Sequence, residues 1–255
     1  MKLGVPTLKY FAICGRGELA RLICAAGELP FNDEPWTPTF DETGNFRAGY
    51  QAIGASLGFP GSFPILEQGD FALFQSNAIE AYLASIAPKF INLTPQEKAK
   101  DMMFSLIKED TLQPCEKLLF KKISAEDLAA VMPKQYGTIE DLLPDSGFVN
   151  GLDHPTVADL AVVVVSTGCM PFQAACTMAG VAFDALKYPK MARVAREAME
   201  YGPVANFLVA SEVSISELSR SEDLKSSNIS NFLLSLQHKT LKADPFNIMP
   251  AEYHK

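Results

Sequence analysis

Between Thr7 and Ala26 the hydrophobic period of the chain changes once, at a pair of glycines. Thr7 to Phe11 is short and rich in β-formers, and it runs into Cys14-Gly15-Arg16-Gly17. Beyond the glycines, Leu19, Leu22, Ile23 and Ala26 follow the spacing of an apolar helical stripe. Residues 7–26 therefore predict strand, turn, helix. A second such unit follows. Phe63 to Leu66 and Phe71 to Phe74 are short apolar runs on either side of Gln68-Gly69-Asp70, which predicts a hairpin. Ser76 then opens a helix with Ile79, Tyr82, Leu83 and Ile86 on one face. The segment between, residues 34–61, reads as mostly loop, with one short helix and one strand.

The second part of the chain has a different texture. Pro88 marks a boundary, and from Thr94 onward the pattern is helical with few strand signals. Thr94 suits an N-cap and Pro95 a first helical position. Thr156-Val157-Ala158-Asp159 is another helix start, with Thr156 able to cap backbone N–H groups. The run after it is apolar all round, as in a helix at the centre of a bundle. Its valines also suit a buried strand; the cap and the helical surroundings favour the helix. Residues 214–231 are serine-rich and polar, followed by a short stripe of Phe232, Leu233 and Leu236.

Composition limits the function classes. A chain of 255 residues makes one large domain or two small ones, and 48% hydrophobic residues provide a sizeable core. A net charge of −8 argues against nucleic acid, whose phosphates need a clustered basic surface. It argues in the same sense against an anionic membrane surface. The five cysteines are irregularly spaced and include no CxxC pair, which suits reduced thiols in a cytosolic protein. Three scattered histidines do not predict a zinc site, and no metal is expected. Met1 to Pro6 does not read as a signal peptide. The longest apolar run, Leu160 to Val165, is far too short to cross a bilayer.

Four positions stand out for chemistry. Phe63-Pro64 opens an apolar strand after a glycine-rich loop, which makes it a candidate cis peptide bond that turns the Phe63 backbone outward; a trans proline at a strand start is the alternative. Gln75-Ser76 stands at a strand-to-helix junction. There Ser76 is placed as an N-cap, or as part of a carboxylate site at a helix N-terminus. Tyr10 lies near the end of the first strand, where a phenol can stabilise a bound thiolate, or simply be a half-buried strand residue. Cys14 is close to the first helix N-terminus; it is a candidate reactive thiol or a small buried hydrophobe.

Taken in order, these residues resemble a known family. Tyr10-Phe11 followed by Gly15-Arg16-Gly17-Glu18-Leu19-Ala20-Arg21 resembles the sigma-class cytosolic glutathione S-transferases. Ser62-Phe63-Pro64-Ile65-Leu66-Glu67, then Gln75-Ser76-Asn77-Ala78-Ile79-Glu80-Ala81-Tyr82-Leu83, is similar to that family's glutathione-binding core. Thr156-Val157-Ala158-Asp159 is similar to the capping box of its helical part, and the match spans roughly residues 5–212. The resemblance implies a thioredoxin-like glutathione-binding domain over 1–86 and an all-helical domain over 94–213. It leaves a 214–255 extension without a counterpart. It implies that Phe63 pairs through its backbone with the cysteinyl part of glutathione, beside Pro64, and that Gln75 and Ser76 hold the γ-glutamyl end. Tyr10 would activate the thiol. A homodimer is implied, with an acidic residue of the partner subunit on the γ-glutamyl amine; Asp110 is the best match, with Glu109 and Asp101 as rivals.

The pattern is not followed throughout. Cys14 stands where sigma-class members commonly have an arginine that supports the tyrosine. For the glycyl end, Trp36 comes too early, and Tyr50 or Gln51 falls nearer the expected position. The leading expectation is a cytoplasmic detoxification enzyme that conjugates glutathione to small hydrophobic electrophiles. The acceptors would lie in a cleft between the domains, against Phe11, Ala12 and Ile13 and the helix around residues 102–119. The alternatives are a glutathione-dependent isomerase or peroxidase, a non-catalytic binding or structural protein, and a transferase that depends on Cys14.

Overall fold

The structure, a computed structural model, describes residues 4–11, 14–36, 55–56, 63–167 and 172–218. The chain divides into two compact units, Met1–Thr94 and Pro95–Lys255.

The first unit is built on four strands: β1 (Thr7–Phe11), β2 (Asn32–Trp36), β3 (Ile65–Gln68) and β4 (Phe71–Phe74). Their order in the sheet is β2-β1-β3-β4. β1 runs parallel to β2, with Phe11 opposite Trp36, and antiparallel to β3, with Thr7 opposite Glu67. Parallel neighbours need a crossover. Here it contains a short 3-10 turn (Gly15–Gly17) and helix α1 (Glu18–Ala26). β3 and β4 form the expected antiparallel hairpin, turning at Gly69 with φ +61°. Helix α2 (Ser76–Ile86) follows. This is the thioredoxin-like arrangement expected from the sequence. The strand anticipated within 34–61 begins slightly earlier, at Asn32, and most of the remainder of that segment lies outside the described residues.

Leu8 and Tyr10 are the buried residues of β1, and α1 is buried on more than its apolar stripe. Gly27, just beyond α1, has a steric reason. A Cβ there would stand 2.6 Å from the Ala87 Cβ, so the ends of α1 and α2 meet only over a glycine. Gln68 ties the hairpin in place. Its Nε2 donates to the Gly4 carbonyl at 2.6 Å, and its Oε1 accepts from the Tyr82 hydroxyl.

The second unit holds α3 (Pro95–Leu119), α4 (Ala125–Leu142), α5 (Val157–Ser166), α6 (Phe172–Met178), α7 (Pro189–Glu200) and α8 (Gly202–Leu218). No strand occurs among its described residues. α3 begins at Pro95, as its sequence signal implies. α8 continues to Leu218, past residue 213, where the sequence places the end of the helical part. α4 starts with a capping box that the sequence reading did not pick out. The Ser124 hydroxyl accepts from the Asp127 N–H at 3.1 Å, and the Asp127 carboxylate accepts from the Ser124 N–H at 2.9 Å.

α5 is the valine-rich run, and every one of its residues is buried. It packs against α3 and α7. Valine lowers helix propensity by less than about 1 kcal/mol per residue. Burying a valine side chain contributes about 1.5–3 kcal/mol. Burial therefore outweighs propensity, and the run is a helix rather than a strand.

Candidate functional site

The C-terminal end of β1, the glycine turn and the start of α1 form one polar cluster. Tyr10 is only 6% exposed. Its hydroxyl accepts a hydrogen bond from the Arg16 N–H at 3.0 Å. Both glycines of the turn pack on this side chain. A Cβ on Gly15, which has φ +46°, would overlap the Tyr10 hydroxyl, and one on Gly17 would lie 2.6 Å from the ring. The glycines thus let the chain wrap closely round the phenol, which is the physical content of the Gly-Arg-Gly motif.

Arg16 reaches the phenol through its backbone. The guanidinium beside Tyr10 is that of Arg21, 5.8 Å from the ring centroid. Arg21 is held on several sides. Its Nε donates to Asp33 at 2.7 Å, its Nη1 to Glu18 at 3.2 Å and its Nη2 to the Phe11 carbonyl at 3.3 Å. Burial disfavours the charged guanidinium, but Glu18 and Asp33 more than offset this and hold it firmly protonated. Burial pushes the Glu18 carboxyl up, against the pull of Arg21. A fixed cation therefore accompanies Tyr10 even though Cys14 stands at the expected arginine position. Sequence reasoning did not single out Arg21, Glu18 or Asp33. One signal was present: Glu18 and Arg21 are three apart on a helix, a pairing distance.

Phe63 joins the same end of the sheet. The Tyr10 and Phe11 rings meet edge to face at 5.3 Å, and Phe11 and Phe63 meet likewise at 5.3 Å. The structure thus brings together Tyr10, Phe11 and Phe63, three of the expected site residues. The Phe63–Pro64 bond is cis. Cys14, half-buried, precedes the glycine turn, and its carbonyl accepts from the Gly17 N–H at 3.2 Å.

The helix start at residue 76 differs from its sequence reading in one respect. Ser76 is not the N-cap; it is the first residue of α2, and Gln75 takes the cap position without a side-chain cap hydrogen bond. Ser76 is buried and Gln75 exposed. Gln75 has φ +76° and ψ +114°, a conformation that costs a non-glycine residue on the order of 1–3 kcal/mol. Strain of this kind concentrates at functional positions.

The three acidic candidates on α3 separate. Asp110 is exposed and Glu109 half-buried. Asp101 is buried, and its carboxylate accepts from the Thr156 hydroxyl at 2.6 Å, the Ala158 N–H at 3.0 Å and the Asn150 side chain at 3.1 Å. Tyr50, Gln51, Ala12 and Ile13 lie outside the described residues, as does the side chain of Trp36. Among the described residues, no group of three or more His, Cys, Asp or Glu is placed to hold a metal ion. No described helix is long and apolar enough to cross a membrane.

Comparison with known proteins gives a consistent result. No family model matches the chain. It is 28% identical over 190 residues to "Putative glutathione S-transferase alpha-2" of Dictyostelium discoideum, covering 74% of this chain and 86% of that protein. Among solved structures it is similar to a Caenorhabditis elegans glutathione S-transferase, with a TM-score of 0.62 and 24% identity over 80% of this chain and 97% of the other. It is similar also to rat hPGDS complexed with a quinoline, with a TM-score of 0.63 and 20% identity over 80% and 96%. The fold is that of the glutathione transferases, a thioredoxin-like domain followed by a helical one. The curated relative is named a glutathione S-transferase, and the structural neighbours share the fold.

Proposed function

We propose that this protein is a glutathione S-transferase of sigma-class type that uses Tyr10 to hold the glutathione sulfur as a thiolate. The observation that carries this reading is the Arg16 N–H donated to the Tyr10 oxygen at 3.0 Å, with the Arg21 guanidinium 5.8 Å from the ring. Both polarise the phenol. A phenol oxygen that already accepts a hydrogen bond is a stronger O–H donor. A hydrogen bond to a thiolate favours the charged form and lowers the thiol pKa from about 8.5. The thiolate then attacks a small hydrophobic electrophile, with the sulfur lone pair forming the new bond as the leaving group departs.

Glutathione itself would be read by main-chain and helix-end groups. The Phe63 backbone, followed by Pro64, would pair with the cysteinyl part. Ser76 and the N–H groups of the first turn of α2 would hold the γ-glutamyl carboxylate, with Gln75 beside it. Tyr50 or Gln51 would face the glycyl end. Asp110 is the candidate for reaching the γ-glutamyl amine of a second subunit in a homodimer, because it is exposed whereas Asp101 is buried against Thr156. The chain would act as a cytoplasmic enzyme of detoxification.

Conjugation of glutathione to an aryl halide tests the reading. A hydrogen bond to a charged group is worth about 1.5–3 kcal/mol, or roughly 10- to 100-fold in rate. Tyr10→Phe should lower kcat/KM by that factor and shift the pH–rate profile to higher pH. An unchanged rate would show that the phenol does not activate the thiol. A second reading rests on the burial of Tyr10, 6% exposed beneath Gly15. A protein that binds glutathione without turnover would be retained on immobilised glutathione and show no conjugation. Robust turnover removes that alternative.

A further inference from the structure

The second unit contains a sulfur cluster for which glutathione conjugation has no use. Cys115 on α3 and Cys176 on α6 are both buried, with their sulfurs 4.0 Å apart. The Tyr136 hydroxyl on α4 lies 3.5 Å from the Cys176 sulfur, and the Met132 sulfur 3.8 Å from that of Cys115. Tyr136 is fixed by its neighbours, with ring centroids 5.7 Å from Phe183 and 5.3 Å from Tyr188. Two thiols in contact in an apolar interior, with a phenol aimed at one of them, are more than space-filling. A buried hydroxyl costs free energy unless it is hydrogen-bonded, and here it is bonded to a sulfur.

We propose that Cys115 and Cys176 are a peroxide-responsive dithiol that closes to a disulfide joining α3 to α6. The two thiols have different roles. The contact with Cys115, and then that with Tyr136, pull the Cys176 thiol down against its burial. Cys115 moves up, through the same contact and through burial. The Tyr136 hydroxyl lies against the Cys176 sulfur, so Cys176 is the attacking thiol and Cys115 the resolving thiol. The Cys176 sulfur attacks one oxygen of a hydroperoxide. The O–O bond breaks, an S–OH forms, and the other oxygen leaves as alcohol or water carrying the Cys176 proton. The Cys115 sulfur then attacks the sulfenic sulfur. The S–S bond forms, the S–O bond breaks, and water leaves with the Cys115 proton. Two electrons pass from the two thiols to the peroxide. An S–S bond is about 2.0 Å long, so closure needs a movement of about 2 Å. Because both thiols are buried, the reaction requires a local opening of α6, the 7-residue helix that carries Cys176, to admit the small oxidant.

Peptide mapping of the full chain after treatment with hydrogen peroxide, without reduction, tests this. A cross-linked pair containing Cys115 and Cys176 should form and disappear with dithiothreitol. Cys115→Ala and Cys176→Ala should each abolish it. Tyr136→Phe, which removes the phenol partner of Cys176, should slow its formation about tenfold, as for the loss of one hydrogen bond to a charged sulfur. Oxidation confined to Cys14 or Cys169, or a cross-link between any other pair, overturns the proposal. A cross-link made by glutathione disulfide but not by peroxide overturns the oxidant class. Mapping of the wild-type chain decides the pairing even where an alanine variant fails to fold.

Discussion

Two helices of this protein begin in opposite ways, although both starts depend on the same unpaired N–H groups. At α5 the helix end is closed from within. The Asp159 carboxylate accepts from the Thr156 N–H at 2.9 Å and from the Val149 N–H at 2.8 Å. The Asp101 carboxylate, from α3, takes the Ala158 N–H at 3.0 Å. At α2 the cap residue Gln75 makes no side-chain cap hydrogen bond and sits in a left-handed conformation. A helix N-terminus attracts a carboxylate through its N–H groups and its dipole. The protein supplies that carboxylate itself at α5; in the proposed function, glutathione supplies it at α2. On that proposal, the contrast separates a helix start kept for stability from one kept for a ligand.

The largest effect should come from opening the closed start. Asp101→Ala leaves the Thr156 hydroxyl, the Ala158 N–H and the Asn150 amide without their shared buried acceptor. Each buried unsatisfied group costs about 1–3 kcal/mol. With part of this relaxed, unfolding in urea should show a loss of about 3–5 kcal/mol. A loss under about 1 kcal/mol would mean that this network is not what holds α3 to α5.

The open start should respond in the other way. If Ser76 holds the glutathione carboxylate as proposed, Ser76→Ala should lower glutathione affinity about 10- to 100-fold, following 1.5–3 kcal/mol for a charge-assisted hydrogen bond. Stability should change by less than about 1 kcal/mol. Calorimetric titration of glutathione alongside a urea curve makes the distinction. A variant that loses stability but keeps its affinity would make α2 a second structural cap.

These differences also show how far the sequence is legible. The strand-turn-helix from Thr7, the hairpin and the helix start at Thr156 could be read because period, turn residues and caps act locally. The Gly15 and Gly17 requirement could be seen as a motif, but its cause, the Tyr10 ring packed beneath both, is a contact made only on folding. Arg21 stood in the motif without a role for the same reason. It lies off the apolar stripe of α1, and its burial depends on Asp33 of the neighbouring strand. Asp101 could be matched to a ligand-binding acid by position, whereas its partner Thr156 is distant along the chain and joins it only in the helical unit. The assignment of Ser76 as a cap was off by one residue because Gln75 adopts a backbone conformation that its side chain does not predict.

The effect most specific to the closed start is its pH dependence. Burial raises the Asp159 carboxyl to about 6, against the hydrogen bonds from Thr156 and Val149, and the Asp101 charge adds to the rise. The usual value in an unfolded chain is about 3.9. The folded state therefore holds this proton more tightly than the unfolded state. The resulting stability is fully present below about pH 4 and is lost as pH rises towards 6. Asp159→Asn removes the titration, so the stability gap between wild type and variant should narrow as pH rises from 4 to 6. Urea midpoints at closely spaced pH values would show it. A gap that stays constant or widens over that interval would mean that Asp159 is already ionised in the fold, held by its two backbone donors more strongly than burial opposes it.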